Sequence, residues 1–213
     1  MAISFAGRTR ASSVALRDAV ARAVDDPDAR LLRSANGVTV VREHAPESDP
    51  RADAEKLRQL VGTALADDVS AGVAGPKPGA SGAHFALLQA EHALTLGRGL
   101  HGHGRTVHFD ELGPFCFVLN QPTNDVRAFS ERFLGPLAAE ARHEDLFDTL
   151  EAYLRSGGSV NAVARNLFVH RNTVRHRLRR IAKLTGANLD DPDIRLGLQL
   201  AILGRRALAQ IAS

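Results

Sequence analysis

The side chains best suited to chemistry gather near the C-terminus of this 213-residue chain. Arg171, Arg175, Arg177, Arg179, Arg180 and Lys183 fall within thirteen residues that hold no acid. Asn172, Thr173 and His176 stand between them, His170 comes just before, and Asn161 lies upstream. A guanidinium offers a fork of donors to guanine O6 and N7 or to phosphate oxygens, and Asn pairs in the same way with adenine. The chemistry on offer is recognition of a polyanion. From Ser159 onward the charge is +7 and before it −4, so the net +3 of the chain is segregated. Scattered cations would read as a solvated face; a confined block reads as a binding module on a near-neutral body.

Other reactive types are present but poorly arranged. Gly97-Arg-Gly-Leu-His-Gly102 matches GxGxxG, yet it follows a predicted helix and precedes a strand, the reverse of a dinucleotide loop. It reads as a flexible connection. His101 and His103 fall in that loop and His108 on the strand, with Asp110 the nearby carboxylate, a set that reads as surface histidines and not as a metal site. Cys116 alternates with Phe115 and Phe117 on a predicted strand, as a buried, inert thiol would. A single cysteine excludes an internal disulfide. No Ser–His–Asp or Cys–His constellation is visible, so no catalytic residue and no cofactor is expected. The apolar runs Phe115–Leu119 and Leu200–Leu203 are too short for a bilayer, and the start lacks a secretory core. The expectation is a cytoplasmic protein with no membrane contact.

The elements that must position these groups follow from periodicity and punctuation. Ile3–Ala6 reads as a strand, and Ser12 or Ser13 as the cap of a helix to Val24 with Val14, Leu16, Val20 and Val24 apolar. Two short runs, Arg30–Ser34 and Val38–Arg42, flank Asn36-Gly37, a hairpin signal because both residues tolerate the positive φ of a type I′ turn. Helices are expected over Ala52–Ala66 and Ala83–Leu96, and strands over Val69–Ala74, Thr106–Phe109 and Phe115–Leu119. This is an α+β sandwich with helices on an antiparallel sheet. Only helices follow: Val126–Leu134, Glu144–Arg155, Val160–Leu167, Arg171–Thr185 and Pro192–Ala209.

Ser159–Leu178 has the layout of a helix-turn-helix. Ser159 caps a first helix whose inner face is Val160, Val163, Ala164 and Leu167, and Val169 fills the turn. Val174, Leu178 and Ile181 lie within about 60° of one another at ~100° per residue, so the second helix buries that stripe. Asn172, His176, Arg179 and Lys183 then point outward, with Arg175 and Arg180 flanking. Thr173, Arg177, Arg180 and Lys183 suit phosphates, as does Asn161 with the free amides of the first helix. Phe168 stands where many such units carry Gly, so a turn without left-handed backbone is expected there.

Phe147–Leu154, Gly157–Val160, Val169–Ile181, Leu184–Gly186, Asp190–Pro192 and Leu196–Leu200 closely resemble the C-terminal module of PucR/CdaR-type transcriptional regulators, over about residues 144–213. The second helix also resembles that of the Fis group of DNA-binding proteins. More loosely, residues 1–120 resemble a reduced GGDEF domain, through the hairpin Leu31–Val41, the strand Val69–Ala74, the helix with Ala90–Leu94 and the strand Val107–Asp110. Active members need metal-holding carboxylates on the first strand and an acidic hairpin tip. Here Ile3–Gly7 and Ser34–Val38 contain no acid, so the resemblance implies a non-catalytic scaffold.

The expected organisation is a degenerate GGDEF-like α/β sandwich at 1–122, a connecting helical segment at 123–143 and an all-α helix-turn-helix domain at 144–213. The expected partners are double-stranded DNA and a second copy of the chain, with a small-molecule effector acting through a sensor domain that this sequence does not contain. Two other readings compete. In one, the upstream domain senses a small ligand or retains nucleotide chemistry. In the other, the basic helix docks an acidic protein.

Overall fold

Strand β1 (Ala2–Gly7) is buried on both faces, and the period-2 alternation of its side chains shows how. Ile3 and Phe5 enter one core together with Val38 and Val40 of β3 (Gly37–Val41) and Val69, Ala71 and Val73 of β4 (Val69–Ala74). Helix α1 (Ser13–Val24) closes this core with Leu16, Ala19, Val20 and Val24, and α2 (Pro50–Leu65) with Ala54, Leu57 and Val61. The opposite face carries small residues. Ala2 and Ala74 pack against Ala86 and Ala90 of α3 (Gly79–His101). A Cβ on Gly72 would stand 2.1 Å from the Leu94 nitrogen and 2.2 Å from the Ala90 oxygen, so α3 lies backbone-close on β4.

The computed structural model describes residues 1–8, 13–34, 37–139 and 143–211. They fall into two compact units, built on Met1–Asn120 and on Gln121–Ala209. The first holds a five-stranded sheet in the order β2-β3-β1-β4-β5, where β2 is Arg30–Ser34 and β5 is Thr106–His108. β1 runs antiparallel to β3 (Phe5 opposite Val38) and to β4 (Ile3 opposite Val73). The order β-α-β-β-α-β is the ferredoxin-like arrangement, with α3 and β5 added. The sheet is not wholly antiparallel as expected. β5 pairs parallel to β4 (Gly72 opposite Val107), because α3 acts as a crossover between them.

Several local expectations change. Ser34 pairs with Gly37. Asn36 and Ser12 both lie outside the described residues. Gly37 is the first residue of β3, and a Cβ there would meet the Phe5 carbonyl at 1.9 Å. The glycine serves close approach. Val14 is exposed, outside the core. Phe115–Leu119 forms a short helix, α4, and not a strand. A five-residue apolar run cannot report its own period, and Phe115 and Val118 are buried at helical spacing. Cys116 is therefore helical; its thiol donates to the Phe109 carbonyl at 2.9 Å, and burial raises its pKa.

The glycine-rich stretch is also corrected. α3 continues through Gly97 and Gly99 to His101, where a connection was expected, because the bare Gly97 lets the Val107 side chain lie against the helix. His101 is thus helical. His103 Nδ1 accepts from Arg98 Nε at 3.2 Å, and His108 Nδ1 accepts from the Asp110 amide, capping a 3-10 turn at Phe109–Leu112. Among the described residues no group of three His, Cys, Asp or Glu is placed to hold a metal ion, and no helix is long and apolar enough to cross a membrane.

One ionised group ties α2 to β5. Glu55 accepts from Arg58 at 2.6 and 2.9 Å, from Thr106 at 2.7 Å and from Gln59 at 2.8 Å. These bonds, the Arg58 bond first, hold its pKa at about 2 against burial that raises it. A folded-state pKa below the unfolded one gives stability that is present above pH ~4.5 and lost as pH falls toward 2. Acid titration of the melting temperature is expected to show this loss, and Glu55→Gln should flatten it in that window. An unchanged slope in the variant would show that the carboxylate makes no contribution.

Candidate nucleic-acid interface

The second unit is helical. α5 (Thr123–Leu134), α6 (Pro136–Ala139), α7 (Glu144–Arg155), α8 (Val160–Asn166), α9 (Arg171–Thr185) and α10 (Pro192–Ile211) follow in order. α5 starts three residues before the expected Val126, and α6 replaces mere punctuation at Gly135-Pro136. Leu134, Leu137, Leu146, Leu150, Val174 and Ile181 belong to one core, so the segment read as a connector packs with the helices that follow it.

Ser159 caps α8 as expected, its Oγ accepting from the Ala162 amide at 3.3 Å. Val163 is buried, and Val160, Ala164, Leu167 and Val169 pack against the same core. α9 takes its cap from His170, whose Nδ1 accepts from the Asn172 amide at 3.2 Å. Val174 and Ile181 are fully buried, with Leu178 half-buried beside them. That stripe sets the rotation of α9 and so decides which residues face water.

The turn departs from expectation. Phe168 adopts φ +54°, in the left-handed region. The Val169 amide donates to the Ala164 carbonyl at 3.1 Å and the Phe168 amide to Arg165 at 3.3 Å. This pair is a Schellman motif with Phe168 at the position that usually holds Gly. A left-handed residue with a Cβ costs roughly 1–2 kcal/mol. The seating of Val169 against Ala164 in the core offsets it, since the chain must reverse there for α9 to reach α8.

Arg171, Asn172, Thr173, Arg175, His176, Arg179, Arg180 and Lys183 are all exposed, as is Asn161 on α8. Among the described residues none of these arginines, nor Lys183, has an ion-pair partner. Arg175 donates to Asn172 Oδ1 at 3.4 Å, and Arg179 Nε to the Arg175 carbonyl at 3.3 Å, contacts that align side chains along one face. Arg177 is different. Its Nε meets Asp145 Oδ2 at 3.1 Å and its guanidinium donates to Thr149 Oγ1 at 3.3 Å, with 23% of the side chain exposed. The structure holds Arg177 against α7 and leaves it out of the outward row.

Asp145 and Thr149 are the residues that sequence reasoning missed. Thr149 is fully buried and donates to the Asp145 carbonyl at 2.7 Å. The signal was present: both are polar breaks beside the apolar stripe Leu146, Leu150, Tyr153 of α7, one turn apart. Such breaks on a packed face ask for a partner of opposite polarity.

The geometry can be set beside known proteins. Residues 146–203 match the family model described as the PucR C-terminal helix-turn-helix domain. An uncharacterized protein of Thermomonospora curvata is 34% identical over 128 residues, covering 60% of this chain and 68% of its own length. An uncharacterized protein of Mycobacterium tuberculosis is 36% identical over 121 residues, 56% of this chain and 28% of that one. The purine catabolism regulatory protein of Bacillus subtilis is 37% identical over 90 residues, 41% of this chain and 17% of that one. The chain thus spans little more than a quarter of the length of the mycobacterial relatives it matches.

Proposed function

The chain belongs to the PucR/CdaR family, and from that premise we propose that it is a DNA-binding transcriptional regulator whose helix α9 enters the major groove. The observation that carries this reading is the row of exposed cations on α9, without ion-pair partners among the described residues and held outward by the burial of Val174 and Ile181. Arg175 and Asn172 are assigned to base edges. Arg171, Arg179, Arg180 and Lys183 are assigned to phosphates, helped by Thr173, His176 and Asn161. His170 keeps its cap role and offers its other ring nitrogen to the backbone of the duplex.

One helix-turn-helix buries too little surface for operator-grade affinity, so the active species is a dimer on a two-fold site with half-sites about 34 Å apart. In this reading the first unit is a non-catalytic, GGDEF-like scaffold. The absence of any carboxylate from β1, Ala-Ile-Ser-Phe-Ala-Gly, supports it, since phosphoryl transfer needs acids to hold a charge clamp.

Selection of bound sequences from a random duplex pool tests the proposal. Wild type is expected to return a two-fold site. Arg175→Ala should lose about 1–3 kcal/mol of affinity and relax preference at one base position. A uniform loss across all sequences would move Arg175 to a phosphate, and recovery of no preferred sequence would defeat the reading.

A cavity of about 420 Å³ in the first unit favours a second reading, a small-ligand site. Arg51, Arg58 and Arg105 line it, but Arg51 pairs with Glu111 and Arg58 with Glu55, which leaves Arg105 as its uncommitted arginine among the described residues.

A further inference from the structure

Phe168 is costly where it stands. It adopts φ +54°, which L side chains rarely take, and its ring gains nothing from packing, being 95% exposed. Glycine would serve the turn better, and a polar residue would serve the surface better. Both flanking residues, Leu167 and Val169, turn into the core, so the ring is directed away from it. A strained and solvated aromatic at a tight turn is the kind of outlier that points to a task outside the fold.

The surroundings say what that task is. Phe168 and Arg171 are three positions apart in the chain, so their α-carbons are at most about 11 Å apart. The major groove is about 12 Å wide. A helix that enters the groove by its N-terminal turn therefore brings the ring to the groove wall. Between Ser159 and Thr185 no other large hydrophobic residue is exposed among the described residues. Arg165, Asn166, His170 and Arg171 surround it in sequence and are exposed. A lone ring rimmed by cations and amides is not the broad apolar patch that a protein partner needs. It fits an anionic surface with apolar edges.

We propose that Phe168 is a DNA-contacting residue whose ring packs on a thymine methyl group or a deoxyribose beside the bases read by α9. This rests on the groove reading of α9 and adds an apolar contact to it. The contact carries no charge, so it adds affinity without salt dependence, and the turn tolerates its strain for that contact.

The test compares the full chain with Phe168→Gly and Phe168→Ala, using the duplex that wild type selects from a random pool. Phe168→Gly removes both strain and ring. It is expected to melt about 2–4 °C higher than wild type and to bind at least about tenfold more weakly. Phe168→Ala keeps a Cβ in the left-handed region; it should melt close to wild type and show the same loss of binding. The salt slope should stay at the wild-type value in both. Unchanged affinity in both variants would overturn the proposal. So would a weakened affinity accompanied by a changed sedimentation of the DNA-free chain, since the ring would then be covering a second copy. If wild type itself binds no duplex, the α9 reading fails, and that outcome is visible before any variant is made.

Discussion

Raising monovalent salt from 50 to 200 mM is expected to weaken duplex binding by about 10⁴-fold, a slope of about −7 in log K against log salt. The size follows from counting. Arg171, Arg179, Arg180 and Lys183 are exposed and have no acidic partner among the described residues, so in the proposed complex each subunit would neutralise about four phosphates. Each phosphate contact releases close to one counterion, and a dimer doubles the number. The ordering within the row is also testable. Lys183→Ala should reduce the slope by about 1 per subunit if, as proposed, this point charge at the far end of α9 meets phosphate and not base. Arg177→Ala should leave the slope where it is, because that guanidinium is spent on Asp145 and Thr149. Titrations at four or five salt concentrations settle both. A slope shallower than about −2 would mean that the basic face does not track a phosphate backbone.

Gly72→Val should cost the first unit about 3–5 kcal/mol and abolish its cooperative melting at physiological temperature. The position lies on the β4 face where α3 approaches backbone to backbone. An added Cβ would stand 2.1 Å from the Leu94 nitrogen and 2.2 Å from the Ala90 oxygen, atoms that cannot swing aside as a side chain does. α3 must then lift from the sheet, and with it goes the burial of Ala2, Ala74, Ala86 and Ala90. The second unit has its own core around Leu150, Val174 and Ile181, so its helical signal should survive in a separate transition. A variant with wild-type melting would show that α3 is not seated by close approach.

These two results sit at the two ends of what could be read in advance. The boundaries of α7 and α9 were legible to the residue because each carries an apolar stripe at helical spacing. The stripe Val174, Leu178, Ile181 also decided, by rotation alone, that most of the arginines face outward. The hairpin of β2 and β3 was legible from its two short apolar runs around Asn36-Gly37, although the structure shows that Gly37 also makes room for the Phe5 carbonyl. Phe115–Leu119 was not legible, since five apolar residues suit a buried strand and a buried helix alike. The run from Gly97 to His101 misled for a related reason. Glycine lowers helix propensity, and only the neighbouring Val107 shows why the helix continues.

Sequence by itself therefore determined most of the elements, the segregation of charge and the outward face of α9, since these depend on residues one or two turns apart. Tertiary structure alone decided the rest: the parallel pairing of β5, the capture of Arg177 by Asp145 and Thr149, and the left-handed backbone at Phe168. Each of these is settled by groups distant in the chain or by a core that forces a reversal, and no local pattern contains the free energy of a contact made from across the fold.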